Sequence, residues 1–248
     1  LASILKGDND VYFDKQNLRV AKKETYETEQ YIATRLLNGL KSYIQWNIDT
    51  ENYRKLSDFQ LSDDQLKTLE YICKYNIVLL NGFGGSGKSS STKALINMLV
   101  ENHKSFVQFA PTGRAAKVLS GYTGYPASTI HRGLGYQPPT DWNYNEGYPL
   151  TEQVVIVDES SMIDVFLMRH LIEAIDFTKT KILLIGDDAQ IPSVGAGNIL
   201  YDLLHSGIIP TVTLNKIFRY GEGGLMTVAT DTRNSKEYLD KEKDGVQV

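Results

Sequence analysis

The segment GFGGSGKS (82–89) constrains this chain more than any other stretch. It matches G-x-x-x-x-G-K-[ST] completely, follows the apolar run IVLL (77–80) and opens a helix-like stretch over 89–101. Strand, glycine-rich turn and helix in that order build a phosphate cradle. Glycines let the backbone curl until successive amides face one phosphate, and the helix adds its N-terminal partial positive charge. The expected nucleotide-binding residues here are Gly82, Gly84, Gly85, Ser86, Gly87, Lys88, Ser89 and Ser90. Lys88 is expected to reach the β- and γ-phosphates, and the Ser89 hydroxyl to ligate Mg²⁺. ATP and Mg²⁺ are therefore the expected cofactors.

Such a cradle needs a parallel sheet around it, and the sequence supplies the strands. FVQFA (106–110), VVIV (154–157) and ILLI (182–185) are near-continuous apolar runs, as expected for strands covered on both faces. Helical patterns over 113–120, 162–175 and 197–205 alternate with them. The expected fold is α/β, a three-layer P-loop (RecA-like) parallel sheet.

Two regions depart from this rhythm. Residues 1–57 carry two short β-like runs, VYF (11–13) and LRVA (18–21), then a helical pattern over 25–46. Ile32, Leu36, Leu37 and Leu40 recur there at helical spacing, with Glu24, Glu27 and Glu29 near the start, where the helix dipole favours acids. This reads as the end of an N-terminal helical/β accessory domain plus a connecting helix. The stretch YQPPTDWNYNEGYPLTEQ (136–153) is too long for an ordinary connection in an α/β unit. A small hairpin insertion is expected there, turning at Asn145, Glu146 and Gly147.

Composition narrows the classes. With 42% hydrophobic residues in 248, a sizeable core is available, and no stretch approaches the roughly 20 apolar residues of a membrane span. The chain opens at Leu1 without a signal-peptide pattern, so a trimmed piece of a longer protein is expected. Cys73 is the sole cysteine, which excludes an internal disulfide and a cysteine-based metal site. That usage fits a cytoplasmic protein. A net charge of −4 argues against uniform coating of DNA while leaving room for a local phosphate track.

VVIVDES (154–160) supplies the second half of the nucleotide site. Asp158, at the end of an apolar strand, is placed to hold Mg²⁺, and Glu159 to orient or deprotonate an attacking water. Gln65, in LSDDQLKTLEYI, offers an amide able to read both edges of adenine. Gln190, in GDDAQIPSVGAG, offers one able to sense the γ-phosphate, and Arg219, in IFRY, a guanidinium for the transferring phosphoryl group. The expected catalytic set is Lys88, Asp158, Glu159, Gln190 and Arg219.

Taken in order, the phosphate cradle, APTGRAAKVL, STIHRGLG, VVIVDESSM, GDDAQIPSVGAG and LNKIFR resemble motifs I, Ia, Ib, II, III and IV of RecD-like helicases, the superfamily 1B branch. The Gln65 segment resembles their Q motif, and YETEQYIATRLL the helix joining N-terminal domain to motor. The likeness spans about residues 61–233. It implies an ATP-dependent DNA helicase motor translocating on single-stranded DNA, 5′ to 3′, with other recombination or replication proteins as further partners and no membrane association. It also implies DNA contacts at Pro111, Thr112, Thr129 and His131, with Arg114, Lys117 and Arg132 adding positive charge. The family's pin hairpin falls on 136–153, with Trp142, Tyr144 and Tyr148 as aromatics able to stack on bases. Tyr220 stands where the family commonly has Gln, and nothing resembles motifs V and VI. The expected organisation is thus an accessory end (1–57), a first RecA-like ATPase domain (58–220) and the start of a truncated second motor domain (221–248). Such a piece alone is expected to turn over ATP weakly. The competing readings are a P-loop ATPase switch and a DNA-binding module without unwinding activity.

Overall fold

The computed structural model describes residues 10–14, 19–57 and 59–215. The chain runs β1 (Val11–Asp14), β2 (Arg19–Lys22), α1 (Lys23–Lys41), α2 (Asp63–Lys74), β3 (Ile77–Gly82), α3 (Lys88–Glu101), β4 (Phe106–Ala110), α4 (Gly113–Thr123) and β5 (Ala127–Thr129). It continues with α5 (Ile130–Gly133), β6 (Tyr136–Gln137), β7 (Asp141–Trp142), β8 (Val154–Val157), α6 (Val165–Glu173), β9 (Lys181–Gly186), α7 (Ile199–His205) and β10 (Thr211–Leu214). Six strands pair in parallel in the order β10-β3-β9-β8-β4-β5.

Alternation along each strand sets the layers. Ile77 and Leu79 of β3, Val155 and Val157 of β8, and Ile182 and Leu184 of β9 bury in one core with Ile32 and Leu36 of α1 and Met168, Leu171 and Ile172 of α6. Their neighbours Val78, Leu80, Val154, Ile156, Leu183 and Ile185 bury in a second core with Leu66, Leu69 and Ile72 of α2 and Leu95 and Leu99 of α3. Side chains that alternate at period two and are apolar on both sides give helix, sheet, helix. The expected three-layer fold is what the chain adopts. Among the described residues, no helix is long and apolar enough to cross a membrane.

Local chemistry fixes the helix starts. Ser62 and Gln65 form a reciprocal capping box at α2, with Asp63 and Asp64 in the first turn and Lys74 in the last. Thr112 caps α4, and the left-handed Gly124 (φ 78°) ends it. α5 lies directly on β4: a Cβ on Gly133 would stand 2.1 Å from a ring carbon of the fully buried Phe109. Gly133→Ala should therefore overpack this contact and cost about 1–3 kcal/mol, more than the gain of up to about 1 kcal/mol in helix propensity. A thermal melt unchanged from wild type would contradict that packing.

Three expectations need adjustment. The helix expected over 25–46 ends at Lys41, because tertiary partners capture the next residues in extended form. Asn76 donates to Ser42 O (2.9 Å) and accepts from Ile44 N (3.1 Å), and Trp46 N donates to Cys73 O (2.9 Å). Lys181, fully buried, donates to the carbonyls of Ile44 and Tyr75 beneath the Trp46 ring, and burial lowers its pKa to about 8. The helix expected over 162–175 is shorter at both ends, beginning after the cap Asp164, which accepts from Leu167 N (2.8 Å). In the insertion, the antiparallel pair is β6 with β7, reversing over 138–140. The expected turn residues form a second, separate reversal, where Asn145 and Tyr148 bridge and Asn145 Oδ1 accepts from Gly147 N (2.9 Å). Residues 216–248, with Arg219, Tyr220 and the expected start of a second motor domain, lie outside the described residues.

Candidate nucleotide site and DNA track

Parallel strands deliver their C-terminal ends to one edge, and the loops that follow them share it. The cradle follows β3, the turn Pro111-Thr112 follows β4, Thr129 ends β5, and Asp158-Glu159 follows β8. In register, Ala110 stands beside Thr129 and Phe109 beside Val157. A cleft of about 510 Å³ opens along this edge, lined by Phe83, Gly84, Gly85, Gly87, Lys88, Ser89, Ser90, Val118, Tyr122, Asp158, Glu159 and Gln190.

The loop geometry suits an anion. Gly85 (φ 87°) and Gly87 (φ 93°) take left-handed conformations that side chains rarely adopt, and a Cβ on Gly84 would meet nothing within 4 Å. Ser86 is buried behind the loop and a Cβ on Gly82 would collide with its hydroxyl oxygen at 2.5 Å, so neither lines the cleft. Lys88 donates to the carbonyls of its own loop, Gly82 O and, at 3.1 Å, Phe83 O. These bonds hold the ammonium over the cradle.

Gln65 sits differently from the expectation. Its Oε1 accepts from Ser62 N (2.9 Å) and its Nε2 donates to Gly87 O (3.1 Å), so the buried amide braces the cradle instead of lining the cleft.

The two acids differ in their surroundings. Asp158 Oδ1 accepts from Glu159 N (2.9 Å) and Oδ2 from the Tyr122 hydroxyl (3.0 Å). Burial raises the Asp158 pKa, opposed by those hydrogen bonds and by Lys88. Burial, with Asp158 beside it, also raises Glu159, which Lys88 opposes. Glu159 is in the left-handed region (φ 53°, ψ 41°), a conformation that costs a non-glycine residue on the order of 1–3 kcal/mol and clusters at functional sites. Gln190 is exposed on the rim, its N–H bonded to Asp187 O (3.1 Å). Tyr122 was absent from the sequence expectations. Its pKa is pushed up, mainly by burial and then by Asp158, so it remains a donor.

Thr112 and Thr129 each cap a helix N-terminus, accepting from Ala115 N and Arg132 N at 3.2 Å. Each hydroxyl thereby keeps its own proton for an outside acceptor. Arg114, Lys117, His131 and Arg132 are exposed around them, and Pro111 is half-buried. Trp142 stacks on His170 (4.3 Å between centroids) and also meets Tyr136 (4.8 Å) and His131 (5.5 Å), whereas Tyr148 stacks on Tyr144 (5.7 Å). The second reversal is tied to α1: the Tyr31 hydroxyl donates to Glu146, and Arg35 pairs with the same carboxylate at 3.7 Å.

The family profile described as an AAA domain matches residues 60–245. The chain belongs to this family. Its relatives include RecD and RecD2 proteins. The ATP-dependent RecD2 DNA helicase of Deinococcus radiodurans is 37% identical over 159 residues, which cover 64% of this chain and 22% of that protein. The RecBCD enzyme subunit RecD of Haemophilus influenzae is 32% identical over 215 residues, 74% of this chain and 33% of that one. The ATP-dependent DNA helicase dda of Enterobacteria phage T4 is 34% identical over 190 residues, 69% of this chain and 41% of that one. A crystal structure of the Pif1 helicase from Bacteroides, in complex with ADP-AlF3 and ssDNA, matches with a TM-score of 0.52 at 21% identity, over 73% of this chain and 48% of that one. The Pif1 helicase from Candida albicans matches with a TM-score of 0.53 at 20% identity, over 71% and 44%. Those two likenesses concern the fold. The AAA-domain chain spans less than half the length of each of these proteins.

Proposed function

We propose that this chain is the ATP-hydrolysing motor of a DNA helicase, coupling hydrolysis to 5′-to-3′ movement along single-stranded DNA. The observation that carries the reading is the shared sheet edge: the nucleotide cleft and the two threonine-capped helix starts emerge from neighbouring strands. Helix N-termini with a free hydroxyl proton and nearby cations suit phosphates of a strand laid across β4 and β5. Pro111, Thr112, Arg114, Lys117, Thr129, His131 and Arg132 would form that track, with Trp142 at its margin. We further assign residues 1–57 to an accessory end, 58–220 to a first RecA-like domain and 221–248 to the beginning of a second.

In the cleft, the backbone of 84–89 and Lys88 would bind the phosphates of ATP, with Gln65 holding the loop in shape. Ser89 and Asp158 supply the hard oxygen donors that Mg²⁺ prefers, and a site of one carboxylate and one hydroxyl suits an ion otherwise ligated by phosphates and water. That ion would neutralise charge building on the phosphate oxygens. Glu159 would accept the proton of the attacking water, and Gln190 on the rim would report the terminal phosphate. Arg219 would neutralise the transferred group.

The test is ATP hydrolysis by the full-length protein with and without a single-stranded oligonucleotide. Stimulation by the strand is expected, together with unwinding of a tailed duplex. Hydrolysis indifferent to DNA would favour the switch reading, and DNA binding without hydrolysis the binding-module reading.

A further inference from the structure

Asp158 is held from two directions, and its own loop accounts for only one. Oδ1 takes the N–H of Glu159, the next residue; Oδ2 takes the hydroxyl of Tyr122, 36 residues earlier, at the far end of α4. The Tyr122 oxygen thus touches the cleft carboxylate directly. Tyr122 lines the cleft itself, so the phenol is part of its wall.

A carboxylate fixed through only one oxygen can still swing about its side-chain bonds. Donors on both oxygens fix its plane and direction, and orienting partners of this kind are worth roughly 10–100-fold in metal affinity. We propose that Tyr122 is a positioning residue of the nucleotide site, holding the Asp158 carboxylate in the arrangement that receives a divalent cation beside the nucleotide. The proposal rests on the nucleotide reading given above.

The substitution Tyr122→Phe removes only the hydroxyl and keeps the buried ring. In the full chain, ADP affinity is measured without metal, and Mn²⁺ binding to the ADP complex is followed by electron paramagnetic resonance. Metal-free ADP affinity should stay within about twofold of wild type, because the cradle amides and Lys88 are untouched. Mn²⁺ affinity should fall by roughly 10-fold or more. In an Asp158→Ala background the same substitution should cause no further loss, since the two residues act as one unit. Equal or tighter Mn²⁺ binding by Tyr122→Phe overturns the proposal while leaving the nucleotide reading intact. A further loss in the Asp158→Ala background also overturns it. Failure of the wild-type chain to bind ADP at all overturns both together.

Discussion

Glu159→Gln is expected to lower ATP turnover by roughly 10²- to 10⁴-fold while nucleotide stays bound, the range a lost general base produces. Glu159 lines the cleft one residue beyond Asp158, in a left-handed backbone conformation (φ 53°) just past the end of β8. Burial and the neighbouring Asp158 raise its pKa, which makes it a better proton acceptor than an ordinary surface carboxylate. Glutamine keeps the length and a hydrogen-bonding oxygen, so the backbone cost and cleft shape carry over, and only the capacity to take a proton is lost. Single-turnover hydrolysis and nucleotide affinity, measured side by side, separate the two effects. A variant that binds poorly yet hydrolyses each bound ATP at the normal rate would remove Glu159 from the chemistry.

Lys88→Ala should cut turnover by a comparable factor, roughly 10²- to 10³-fold, and weaken nucleotide binding as well. The two effects go together because an ammonium over the cradle meets phosphate charge both before and during transfer. Lys88 donates to Gly82 O and Phe83 O, so exchange of those carbonyls for phosphate oxygens needs only a side-chain rotation. Alanine at the first position of α3 is a good helix former, and the fold should melt as wild type. Unchanged hydrolysis in this variant would sink the assignment of the cleft to ATP chemistry.

The central strands were legible because burial on both faces leaves an unbroken apolar run, as in VVIV and ILLI. β5 was not, since Ala127, Ser128 and Thr129 carry no such signal and owe their place to pairing with β4. The overshoot of α1 has the same origin: nothing local in 42–46 announces that Asn76 and Lys181 will hold it extended. In the insertion only Asn145, Glu146 and Gly147 were read as a turn; the strand pair closes earlier, over 138–140, where Trp142 stacks on His170 of another element. At the site, the cradle and the two acids were written in contiguous motifs. Gln65 was read as facing adenine because its role as a helix cap and brace depends on Gly87, which only folding brings near. Tyr122 was overlooked because it lies beyond both APTGRAAKVL (110–119) and the helix expected over 113–120. A usable clue existed: Ala115, Leu119 and Tyr122 fall four and three apart, one face of a helix.

The contact between α1 and the second reversal bears on how the insertion would take a load. A push on the turn at Asn145 to Tyr148 is met first by Glu146, which passes it to Tyr31 and Arg35 on α1. Arg169 of α6 lies over the Tyr31 ring at 4.9 Å and is bonded to Glu173, while Arg35 also donates to Ile175 O at 3.0 Å. Such a load would enter two helices on the face of the sheet opposite α2 and α3, away from the phosphate cradle at the start of α3. The insertion is buttressed like a beam with its footing in the wall behind it, and its stiffness depends on the helix that precedes the sheet in the chain.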